Sequence, residues 1–365
     1  MSALERMVDD ALLDPLAAAR GHARAGGRVV GYVGAEIPVE LIIASGAFPL
    51  RIPSFAHTST ALADRYLESS FSPDVRSIAE QYLQGALDFM DAVILPRSDD
   101  SAQRLYYYLS ELRARRVTGG PRPLIYDLAK IPRSTSLVHS HGATQRLAVE
   151  IGAGEQALAD AIAQRNRRRR LFVAAAQART GGVGPCGSLM ERISRAAGCC
   201  DAESFDAAFG DWLTHAPGHA AGPRVVLAGS VPPDDRLHRA VEKAGGNIVA
   251  EVGAHASRAL ASPPIAADDS LEAIAAHYHS LEFGPRAFVD RASQLEATAQ
   301  AARADGVIIW LLETEDALIW DLPAQLSALA GAGVPALPLA RRRWDGGDGA
   351  LDEIASFTRG LRSAA

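Results

Sequence analysis

Short, continuous apolar runs alternate along this chain with longer stretches whose apolar residues recur at helical spacing. Leu4, Met7, Val8, Leu12, Leu13 and Leu16 follow the helical period, so residues 1–25 are predicted as one amphipathic helix that packs on a lobe or a partner. From Arg28 to Ile52 two apolar strands flank a short helix, with Pro38 suited to its first turn and Gly46 to its C-cap. The rhythm continues with a helix over 78–89, a strand over 92–95, a helix over 102–115 and a strand over 124–127. Such alternation is the mark of a parallel sheet. Residues 135–179 read as one or two linking helices, broken by the glycine-rich stretch 181–187, and 188–215 as further helix. After the Pro/Gly-rich 217–223 the pattern repeats. Strands are predicted at 225–228, 248–251, 307–311 and 336–339, and helices at 236–244, 271–279, onward to 302, and 351–361.

These elements imply an α/β chain of two Rossmann-like or flavodoxin-like parallel-sheet lobes facing a cleft, with N-terminal and interlobe helices. The expected divisions are an N-terminal helix (1–25), a first lobe (26–134), a helical linker region (135–222) and a second lobe (223–365). Ligands of open parallel sheets sit beyond the strands' carboxyl ends, so function is expected around the loop 33–37. A cofactor or small-molecule ligand would occupy the cleft.

Composition narrows the classes. At 365 residues and 48% hydrophobic content the chain can bury more than one core. Its net charge of −6 leaves no basic surplus for phosphate backbones, so a nucleic-acid partner is not expected. The run Arg167–Arg170 reads as a solvated helix face, with a patch for a partner or an anion as the alternative. Neither a signal peptide nor a membrane span is apparent, so no membrane is expected and the location is read as cytoplasmic. Cys186, Cys199 and Cys200 are too few for a disulfide framework and are expected as free thiols. The pairs His139/His141 and His277/His279 lack a third ligand at metal spacing and read as surface residues.

One pattern carries a family resemblance. The stretch G-Y-x-G-x-x-x-P-x-E-L-x-x-A-x-G, from Gly31 to Gly46, resembles the opening of 2-hydroxyacyl-CoA dehydratase and benzoyl-CoA reductase subunits. The resemblance continues in order through SPDVRS (72–77), GALDFMDAVILPRSDDSAQRLY (85–106), RVVLAGS (224–230) and ADGVIIWLLETED (304–316). It implies a subunit of an acyl-CoA dehydratase (lyase) or reductase complex, holding a 4Fe-4S cluster on three cysteines and fed electrons by an ATP-dependent activator protein.

The positions matching those cysteines are Ser72, Asp99 and Glu315. A hydroxyl and two carboxylates are hard oxygen donors where a cluster needs soft thiolates, so no cofactor is expected in this chain. Three readings of the altered positions stand: drift after loss of a cluster, a hard-metal or proton-transfer site, or a polar surface for acyl-CoA or a partner subunit. The resemblance thus implies a heterodimer in which a cluster-bearing paralogous subunit carries the redox chemistry. A stand-alone acyl-CoA-binding or metal-dependent enzyme, or a structural scaffold, is the alternative. Arg76, four residues after Ser72, suits either an anion clamp or a salt bridge. Glu40 suits the helix dipole or a ligand contact. Arg258 partly matches a family arginine near the second lobe's cleft edge, and Asp100 or Ser101 is the expected N-cap of the helix that follows.

Overall fold

The computed structural model describes the chain except residues 219, 220, 254, 255, 267–269, 283, 285, 286 and 362–365, and except the side chains of Ala256 and Arg258. Eight strands form two four-stranded sheets, parallel throughout. The first holds β1 (Val29–Tyr32), β2 (Phe48–Arg51), β3 (Ala92–Pro96) and β4 (Arg122–Tyr126) in the order β2-β1-β3-β4. The second holds β5 (Arg224–Gly229), β6 (Asn247–Gly253), β7 (Gly306–Leu312) and β8 (Ala336–Arg342) in the matching order β6-β5-β7-β8. The two-lobed α/β expectation is borne out, and the repeated order is the flavodoxin-like one, with the direction of winding reversing between β1 and β3 and between β5 and β7. The strands read as apolar runs because helices cover both faces of a parallel sheet; every residue of β1, β3 and β7 is buried.

At Gly229, the end of β5, φ is +103° and a Cβ would lie 2.2 Å from the Trp310 carbonyl oxygen, so only glycine fits there. The next residue, Ser230, donates its N–H to that carbonyl (2.7 Å), and its hydroxyl accepts from Leu312 N–H (3.2 Å). This clasp holds the β5 and β7 ends together at the second reversal point.

The N-terminal segment departs from the single predicted helix. It forms two, Ala3–Leu13 and Ala17–Arg24, because Pro15 lacks an N–H and disfavours helix at the residue before it. The first helix starts with a capping box between Ser2 and Glu5. Its stripe is not free for a partner. Leu4 and Val8 are buried within this chain against Phe172, Met190, Phe205 and Phe209, with Leu12 packed alongside. Leu4→Ala is therefore expected to destabilise the chain by about 2–4 kcal/mol. Urea denaturation measures it, and an unchanged midpoint would contradict this packing.

The predicted 135–179 segment resolves into helices Ser134–Ile151 and Glu155–Thr180, parted at Gly152 in the left-handed region. The two helices expected over 271–279 and onward to 302 are present as Leu271–Ser280 and Arg291–Ala301, the second starting at its N-cap Asp290. Between β7 and β8 lies a helix that was not predicted, Leu322–Gly331, with Pro323 in its first turn. Parallel neighbours need such a crossover. Helix Leu271–Ser280, although late in the chain, returns to the first sheet: Ile274, Tyr278 and Leu281 share a core with Val30, Ile94, Leu124 and Leu147. Among the described residues no helix is long and apolar enough to cross a membrane.

Candidate functional site

The three positions singled out in the sequence lie at the two winding-reversal points. Ser72 is the N-cap of helix Pro73–Leu83, and its backbone N–H donates to Ser101 Oγ (3.0 Å). That bond ties Ser72 to the loop after β3. Asp99, at the end of that loop, is itself the N-cap of helix Asp100–Ala114 and accepts from Ala102 N–H (2.7 Å). Asp100 and Ser101, expected as caps, are not: Asp100 lies in the first turn, and the Ser101 hydroxyl is turned to Ser72. Beyond β7, Glu315 accepts from the N–H groups of Ala317 and Leu318.

Electrostatics joins these groups across the lobes. Burial pushes the Asp99 carboxyl up, the negative charges of Asp74, Glu315 and Asp100 add to the push, and the Ala102 N–H only partly offsets it, leaving a value of about 7. Burial also raises Glu315, against its two N–H donors and Arg291. The structure thus brings Ser72, Asp74, Asp99 and Glu315 into one acidic corner, where Asp99 changes charge near neutral pH. Ser98 adds a buried hydroxyl with no hydrogen-bond partner among the described residues. Asp74 went unremarked in the sequence, although its place two residues after Ser72, in the same helix start, was the available signal.

The other residues have different places. Arg76 pairs with Asp64 and donates to the Glu68 carbonyl (2.7 Å), which is the salt-bridge alternative and not the anion clamp. Arg258 falls in the short helix Ala256–Leu260, but its side chain is outside the described residues. Glu40 does more than face a helix dipole. It is fully buried, paired with Arg169 and accepting from Tyr278 O–H (2.9 Å), while Arg169 also donates to Asn166 Oδ1 (3.1 Å) and Ser262 Oγ (3.3 Å). Burial alone would raise its carboxyl, but Arg169 and Arg165 overcome this and lower it to about 2.

The arginine run is consequently not a solvated face. Arg168 and Arg169 are buried, and Arg168 is held by Asp206 Oδ1 (2.6 Å) and the Ala197 carbonyl (2.7 Å). A helix turns adjacent residues only about 100° apart, so two of four consecutive arginines can face inward if carboxylates await them. Nor are all four histidines surface residues. His277 stands edge-on to Tyr278, 3.4 Å from Ser262 Oγ, and burial beside Arg169 lowers it to about 4. His279 Nδ1 lies 2.7 Å from the Ala129 carbonyl oxygen, whereas His139 is exposed beside Asp127.

The loop after β1, where function was expected, lines a small cavity through Gly34, Ala35 and Ile37. Glu36 is buried against Lys130 (2.9 Å), whose ammonium also donates to the Tyr278 and Leu281 carbonyls (3.2 and 2.6 Å).

All three cysteines are free thiols. Burial raises Cys199 to about 12 and Cys200 to about 11, so both stay protonated and are poor metal donors. Among the described residues no three His, Cys, Asp or Glu side chains gather closely enough to hold a metal ion. The corner offers hydroxyl and carboxylate oxygens only, a donor set that does not fit an iron–sulfur cluster.

The family described as 2-hydroxyglutaryl-CoA dehydratase, D-component, matches residues 35–352. The chain belongs to that family. The match begins in the loop after β1 and runs past β8, so strands β2 to β8 and the residues of the acidic corner lie within it. No curated protein matches the chain.

Proposed function

We propose that this D-component chain is a subunit of a 2-hydroxyacyl-CoA dehydratase or benzoyl-CoA reductase-like complex acting on acyl-CoA thioesters. In this reading it holds no iron–sulfur cluster of its own, and a cluster-bearing paralogous subunit carries the electron transfer. The observation that carries the proposal is the corner of Ser72, Asp99 and Glu315: the framework that brings the positions together is kept, and every donor is an oxygen. The chain's own contribution there is to hold a proton. Asp99, near neutrality, can take or give one within a shielded corner whose loop also carries Ser101, bonded to the Ser72 N–H. That feature also favours a second reading, in which the corner performs proton transfer on a bound thioester without a partner.

Affinity capture from the native host separates the two. The subunit reading expects a cysteine-intact paralogue at near-equal stoichiometry, together with less than one iron per copy of this chain purified alone under anaerobic reconstitution. Recovery of the chain alone, turning over an acyl-CoA, would replace the first reading with the second. Four irons and matching sulfide in the isolated chain would refute the oxygen-donor argument.

A further inference from the structure

The helix Glu155–Thr180 presents three arginines on one face, Arg165, Arg168 and Arg169, spaced three and four residues apart. Two are saturated. Arg168 is held by Asp206 and main-chain carbonyls, and Arg169 by Glu40, Asn166 and Ser262. Arg165 differs: it makes no hydrogen bond or ion pair among the described residues, and its Nε is buried without a partner. Facing it is a second such cation. Arg51, at the end of edge strand β2, has its stem pressed on Gly198, where a Cβ would come within 2.7 Å of Arg51 Cβ, and its guanidinium likewise has no hydrogen bond or ion pair among the described residues.

Between the two lies Tyr32, the last residue of β1 and the register partner of Arg51. Burial raises its hydroxyl against the pull of Arg165, Arg51 and Arg168, so it remains a donor. Two cavities meet here and share Tyr32, Val39, Arg165 and Ala197. The smaller, about 30 Å³, is also lined by Arg51, Ser194 and Ser262; the larger, about 230 Å³, extends past Gln164 to the apolar Ile43 and Phe48. The larger cavity's carboxylates are already engaged: Asp206 binds Arg168, and Asp201 caps the helix Ala202–Thr214 through Ser204 N–H (2.9 Å). The site therefore carries an excess of positive charge. Withdrawing a guanidinium from water without a counter-charge costs free energy, and its planar fork is shaped for the oxygens of a phosphate or carboxylate.

We propose that the paired cavities bind a small organic oxyanion, its phosphate or carboxylate head between Arg51 and Arg165 with the Tyr32 hydroxyl donating, and its few-carbon body along Ile43 and Phe48. The site lies at the β2 edge of the first sheet, apart from the acidic corner, and does not depend on the proposed function.

The test uses the full-length chain at fixed ionic strength set with sodium chloride. Inorganic phosphate, butyl phosphate and butyrate are titrated by calorimetry and by thermal shift, the three arms separating a phosphate from a carboxylate ligand. At least one is expected to bind saturably and raise the unfolding midpoint. Arg165→Met should weaken that binding tenfold or more while the unliganded chain melts at the same or a higher temperature, because an uncompensated cation has been removed. A cation that merely braces the fold would show the opposite, a lower unliganded midpoint with the shift intact. Arg51→Met repeats the reading should Arg165→Met fail to fold. The proposal is overturned if none of the three anions shifts the wild type beyond chloride, or if both variants bind as the wild type does.

Discussion

Glu40→Ala is expected to destabilise the chain by about 3–5 kcal/mol at pH 7, because it leaves the Arg169 guanidinium, 2% exposed, without its counter-charge. The same change removes the acceptor of the buried Tyr278 hydroxyl. Much of the loss is the penalty for a stranded cation and not the strength of the pair, so Glu40→Leu combined with Arg169→Met should recover a large part of it. The pair also sets an acid limit. The Glu40 carboxyl is depressed in the folded chain to about 2, so its contribution is complete above the unfolded carboxylate value and is lost as pH falls toward 2. Urea denaturation of the single and double variants measures these differences. A double variant no more stable than Glu40→Ala would show that packing, and not charge, dominates the site.

Asp99 predicts the reverse pH dependence. Its folded value of about 7 lies above the unfolded carboxylate value, so the folded chain holds the proton more tightly and loses stability as pH rises toward and through 7. Asp99→Asn keeps an acceptor for the Ala102 N–H but cannot ionise. It should stabilise the chain by about 2–3 kcal/mol at pH 8 and by less than about 1 kcal/mol at pH 4. Denaturation midpoints at pH 4, 6 and 8 would show the gap widening. A difference constant across that range would mean that Asp99 stays ionised throughout and that the acidic corner is open to water.

The sheets were legible because burial on both faces leaves strands such as VVGY and GVIIWLL without polar interruptions. Helix Leu322–Gly331 escaped because its Ala-rich sequence ends between glycines and prolines, although two parallel strands in succession already demanded a crossover. In the acidic corner, residue identities could be read but not their mutual charge effects, which arise only when the loops after β3 and β7, far apart in the chain, meet. The buried arginines were hidden for a related reason. A basic run looks solvated until the carboxylates that face it, Glu40 and Asp206, are placed by the fold. Arg165 and Arg51 are the complement of that lesson, being cations that form no ion pair among the described residues although Glu40 and Glu191 act on them from further off.

Helix Leu271–Ser280 gives the chain a mechanical property. It leaves the second sheet to seat Tyr278 on Glu40 and to offer its main-chain carbonyl to Lys130, and the chain then returns through Arg291–Ala301 to the second core. The two sheets are thus latched by a strap from one inserted in the core of the other. Drawing this helix out of that core would drag a buried tyrosine off a buried ion pair, so the helix keeps company with the first sheet although the chain on either side of it belongs to the second.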